Sequence, residues 1–172
     1  MPAPRLPRTS GVRHVIVGVL AVVYGSFLAV VAFWPSPVDR PVASLLERAI
    51  DELHERGVPS FVDYGFLESS ANIALFVPVG LLLGLALPVR WWPGAVVLGP
   101  LLSMAIELAQ GLFLSARYAS WGDVLANSVG ATIGVLLALT LRAVVALRDE
   151  RVVARHEALA RALAEGGRRR PY

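Results

Sequence analysis

Six polar side chains stand in or beside the longest apolar runs of this chain: Asn72, Glu107, Gln110, Arg117, Asp123 and Asn127. Carboxylate, carboxamide and guanidinium groups are expensive in hydrocarbon, so they normally face a protein interior or a watery cavity. Glu107 and Gln110 are three apart, and Asp123 and Asn127 four apart, which places each pair on one face of a helix. Arg117 falls in the short turn between the two runs. A buried carboxylate must be neutralised, paired or hydrated, and two readings of Glu107 follow. One is a structural bridge to Arg117. The other is a polar cleft that binds or reacts, with Glu107 as hydrogen-bond acceptor, general base or proton carrier and the only candidate catalytic residue. Both stay open at this point. Asp123, next to Gly122, also fits the place of a helix N-cap or first-turn acid. Asn127 and Gln110 have an equally plain use as bonds between neighbouring membrane helices.

The elements that must position these groups are helices. The chain has 172 residues, 56% of them hydrophobic, and a strongly positive mean hydropathy. About 20 apolar residues cross the hydrocarbon core as a helix, and four runs qualify: 15–34, 71–87, 93–114 and 123–141. The predicted fold is an all-α, polytopic membrane bundle of four transmembrane helices. Asn72 opens the second run, unless that helix begins earlier, near Phe66. Pro78 lies mid-span, removes a backbone donor and predicts a kink, with Gly80 beside it. Gly130 and Gly134 form a small-x-x-x-small pair that lets another helix approach closely.

Between the first two spans, in the segment 35–70, apolar residues Val42, Leu45, Leu46, Ala49, Ile50 and Leu53 recur at helical spacing. An amphipathic helix is predicted over 41–57, from Pro41 in its first turn to Gly57-Val58-Pro59 at its end. Beyond the last span, 142–172 reads as continued helix followed by an arginine-rich tail, with Glu157 and Arg161 spaced as an i,i+4 pair.

Charge sets the expected orientation. All sixteen basic residues are arginine; twelve lie in the N-terminal tail 1–14, at Arg90 and from Arg142 onward, against four in 35–70 and at Arg117. That bias puts both termini in the cytoplasm and the amphipathic helix outside, in a multi-pass protein of the cell membrane. The three outer helix ends then gather all six polar groups at the outer leaflet. The first apolar run is too long for a cleaved leader and reads as a signal anchor. The basic pI near 9.9 is explained by this topology, so nucleic acid is not an expected partner; membrane lipids are. With no cysteine and no ligand pair at helical spacing, no metal or other cofactor is expected.

Three blocks of this sequence resemble the VanZ-like family. They are Asn72-Ile-Ala-Leu-Phe-Val-Pro-Val-Gly80, then Ser103-Met-Ala-Ile-Glu-Leu-Ala-Gln110, then Arg117 with Asp123, Asn127, Gly130 and Gly134. The resemblance covers about residues 65 to 141 and leaves the amphipathic helix and the arginine-rich tail outside. It implies a bacterial multi-pass membrane protein of the cell envelope, and its namesake is associated with antibiotic resistance, to teicoplanin. It implies no defined reaction. Carried over residue by residue, the family's polar set falls on Asn72, Glu107, Gln110, Arg117, Asp123 and Asn127. Many members have an acid three residues after the arginine; Ser120 stands there in this chain.

Three functions compete on these residues. The first is binding of a lipid headgroup, wall precursor or lipoglycopeptide in an outer polar pocket. The second is an intramembrane enzyme acting on a lipid-linked substrate, with Glu107 as base and Arg117 on a phosphate. The third is a small proton-coupled transporter. Ser103, Ser115, Ser120 and Ser128 lie in the core, but His14, His54 and His156 are scattered over other segments, so none of these serines has a histidine base nearby. A transporter more often has more spans or a repeat. The binding reading therefore leads, and homo-oligomerisation stays open.

Overall fold

The computed structural model describes the backbone of residues 10–34, 42–114 and 120–168. Five α-helices and one short 3-10 turn account for it: α1 (Ser10–Ala32), α2 (Ala43–Glu55), α3 (Tyr64–Ala86), α4 (Trp92–Phe113) and α5 (Trp121–Arg168). Four of them, all but α2, are long and apolar enough to cross a membrane. Large apolar side chains such as Leu101, Leu112, Leu125 and Leu136 are exposed on these helices, as lipid-facing residues are. The chain is a multi-pass membrane protein. Its first compact unit ends at Ala138; the remainder forms a second, in which Glu157 and Arg161 pair at 3.3 Å on an exposed helix face.

Local chemistry fixes the helix ends. Asp63 caps α3, its side chain accepting from the Phe66 N–H at 2.8 Å, so the helix starts well before the apolar run alone indicates. Asn72 consequently does not open the span. It sits about 12 Å along α3, eight residues past Tyr64. At the other end Leu87 is extended, as a residue before proline must be. Pro88 and a 3-10 turn, Val89–Trp91, reverse the chain into α4, where Pro93 occupies the first turn. Pro78 removes one rung of α3 without ending it. The predicted start of α2 at Pro41 lies outside the described residues.

The end of α2 is a Schellman turn. Gly57 N–H donates to the His54 carbonyl and Val58 N–H to the Leu53 carbonyl, with Gly57 at φ +93°. A Cβ there would meet nothing within 4 Å, so the demand is purely conformational. Gly57→Ala is expected to lower stability by about 1–2 kcal/mol, read as earlier proteolysis around α2 with the four long helices intact. Of the apolar stripe on α2, Ile50 is buried while Leu45 and Leu53 stay exposed.

Glycines bring the spans together. On α3, Gly80 faces the backbone of Ala131; on α5, Gly130 and Gly134 face the carbonyls of Ile73 and Val77. From α4, Gly99 faces the Ala131 methyl, so α3, α4 and α5 converge on one fully buried alanine. Helix α1 joins through Tyr24, whose hydroxyl donates to the Leu75 carbonyl at 2.7 Å. The close approach leaves no room for lipid between α3, α4 and α5, so polar groups on their facing sides meet one another.

Candidate functional site

One turn of α5 organises the site. Ser120 is its N-cap: the Oγ accepts from the Asp123 N–H at 3.3 Å. Serine followed three residues later by an acid is a capping-box pattern, in which the acid would reach back to the serine N–H. In this protein the reciprocal half is replaced. The Ser120 N–H donates instead to Glu107 Oε2 on α4, at 2.9 Å. Asp123 thereby turns to α3 and accepts from Asn72 Nδ2 at 2.8 Å. Its position in the first turn also suits the positive end of the helix dipole. Of the two local roles open to Asp123, the structure assigns the first-turn acid, and gives the cap to Ser120.

A second tier lies one turn deeper. Asn127 donates from Nδ2 to Ser103 Oγ on α4 at 2.9 Å; Asn127 is only 5% exposed and Ser103 fully buried. The Oδ1 of Asn127 is buried without a hydrogen-bond partner. An unsatisfied acceptor in a protein interior costs about 1–3 kcal/mol, and in a membrane protein water has less access to relieve it. On the far side, Gln110 donates from Nε2 to the Ala32 carbonyl at 2.7 Å. That carbonyl belongs to the last turn of α1, which has no intrahelical donors left for it. Gln110 thus ties α4 to the end of α1.

Asn72, Glu107, Gln110, Asp123 and Asn127 line one cavity of about 70 Å³, closed on its apolar side by Leu28 and Phe76. Five of the six polar residues singled out by type and spacing therefore meet. The sixth, Arg117, lies outside the described residues, and with it the Glu107–Arg117 bridge. Glu107 is 7% exposed and also lines a more open recess of about 100 Å³ with Met104, Trp121 and Val124. Among the described residues no group of three or more metal-ligating side chains occurs.

Two contributors escape a reading of the sequence alone. Ser103 stands out there as a serine without a histidine base and as the first residue of a family-like block, although its spacing to Glu107 and Gln110 extends the same polar helix face. Ser120 stands out as a missing acid, although the Ser-x-x-Asp pattern before an apolar run marks a helix start. The Ala32 carbonyl has no readable signal, since every residue carries one.

One comparison with known proteins agrees with the blocks that hold this cavity. No curated protein and no solved structure matches the chain. A family model described as VanZ/LLP1 matches residues 21–142. That span extends beyond the motif blocks at 65–141 to include α2 and the C-terminal half of α1, whose Leu28 and Ala32 line the cavity. With well over half of its length matched, the chain belongs to the VanZ/LLP1 family.

Proposed function

We propose that this protein is a non-enzymatic component of the bacterial cell envelope that binds a lipid headgroup, wall precursor or lipoglycopeptide in the polar cavity among α1, α3, α4 and α5. The buried, unpartnered Oδ1 of Asn127 carries this reading. It belongs to a residue that lines a small cavity whose other polar walls are already organised by Asn72–Asp123 and Ser120–Glu107. A bound donor would remove its cost. The arginine bias supports placing the cavity at the outer leaflet and both termini in the cytoplasm. On that side lie the wall precursors that glycopeptides recognise, so a contribution to teicoplanin-type resistance follows from sequestering either partner.

Deletion and complementation test this. In cells lacking the protein, complementation with Glu107→Gln or Asn127→Leu is expected to restore less ligand retention or drug tolerance than wild type. No lipid should change its covalent structure in any of these strains. Accumulation of one lipid or wall precursor in the deletion and Glu107→Gln strains, seen by mass spectrometry, would replace binding by catalysis.

A further inference from the structure

Leu28 lines two spaces at once. On one side it closes the polar cavity. On the other it begins an apolar groove of about 170 Å³ with Ala21, Gly25, Val79, Leu83 and Leu102. The groove has one polar lining residue, Tyr24, whose hydroxyl is committed to the Leu75 carbonyl. Ala21, Gly25 and Leu102 are exposed, so the groove opens on the face of the spans. Polar and apolar spaces succeed one another along α1, from Ala32 at the polar end to Ala21 at the apolar end. These eleven residues rise about 16 Å, and one leaflet is about half of the roughly 30 Å hydrocarbon core.

We infer that the ligand is a membrane lipid of a single leaflet. It is held with a hydrogen-bond-donating head, ammonium or hydroxyl, at Asn127 and one acyl chain in the groove between α1 and α3. The inference rests on the binding function proposed above and adds the class and pose of the ligand. A cavity of about 70 Å³ exceeds the roughly 10–15 Å³ that one water needs on the same measure, so it admits the end of a headgroup. The Asn127 Oδ1 accepts only from a donor, which selects ammonium or hydroxyl over a quaternary amine. Lipid tails are as apolar as the groove, so the polar end supplies affinity and the groove supplies register. Leu28 stands where head and chain meet.

The test uses the full chain in vesicles of phosphatidylethanolamine or of phosphatidylcholine, whose head has no N–H. A trace of the same lipid carries a photoactivatable group in mid-chain. With phosphatidylethanolamine, cross-links are expected to concentrate on residues 21–28 and 79–86. Gly25→Leu should reduce them on the order of tenfold by filling the groove. A Cβ at Gly25 meets nothing within 4 Å, so a side chain can leave the α1 backbone there without meeting another helix. Gly18→Leu, equally open and outside the groove, should leave the pattern unchanged. Separately, native mass spectrometry should find phosphatidylethanolamine retained over phosphatidylcholine, and less of it in Asn127→Leu. Retention that depends on Asn127, together with cross-links spread evenly and indifferent to Gly25→Leu, would overturn the groove while the cavity stands. Equal retention of both lipids, unaffected by Asn127→Leu, would overturn both.

Discussion

Gly134→Ala is expected to destabilise the bundle by about 1–3 kcal/mol or more, a large share of the stability of a small domain. A Cβ at this position would overlap the Val77 carbonyl oxygen and lie 2.9 Å from the Gly80 carbonyl carbon. These are backbone atoms on α3 and cannot turn aside as a flexible side chain would. Relief requires α3 and α5 to separate. The same holds for Gly130, whose added Cβ would sit 2.9 Å from the Ile73 carbonyl carbon, and for Gly80, 2.6 Å from that of Ala131. Separation also draws Asn72 away from Asp123, so the polar tier opens with the seam. Unfolding in mild detergent, followed by helix content or by aggregation temperature, measures the loss. Gly18→Ala provides the contrast, because a methyl there meets nothing within 4 Å; it should be neutral within about 1 kcal/mol. Equal behaviour of Gly18→Ala and Gly134→Ala would remove the seam as the organising contact.

Legibility in the sequence depends on the kind of interaction. The four spans are readable because hydrocarbon imposes length and apolarity on any crossing helix. The Gly130–Gly134 pair is readable because close backbone approach demands small residues at one spacing. Asn72, Glu107, Gln110, Asp123 and Asn127 line one cavity because a membrane helix has few other places to put polar groups. Placement in detail is less legible. Hydropathy sets Asn72 at a helix opening because it marks where apolar residues begin, whereas Asp63 marks where hydrogen bonding begins. The partition of roles at Ser120 and Asp123 depends on Glu107 arriving from another helix to take the Ser120 N–H, which no local pattern encodes. The groove at Leu28 depends on how α1 lies against α3, a packing detail with no sequence period of its own.

The substitution Glu107→Ala separates the two roles that converge on this carboxylate. It leaves the Ser120 N–H without its acceptor at the entrance to α5, and an unsatisfied partly buried donor costs about 1–3 kcal/mol. The cap turn then loosens, and Asp123 with it, so both stability and ligand retention should fall. Glu107→Gln keeps an oxygen that the Ser120 N–H can use. Stability should therefore return to within about 1 kcal/mol of wild type, an ordinary hydrogen-bond difference. Retention is expected to stay below wild type, because the carboxylate is gone from the cavity wall. Recovery of stability without recovery of retention assigns Glu107 to the ligand as well as to the fold. Recovery of both would confine it to holding the start of α5, and would leave Asn127 as the residue on which binding depends. Equal destabilisation by alanine and glutamine would show that the Ser120 contact contributes nothing, and Glu107 would no longer be the acceptor that holds the cap.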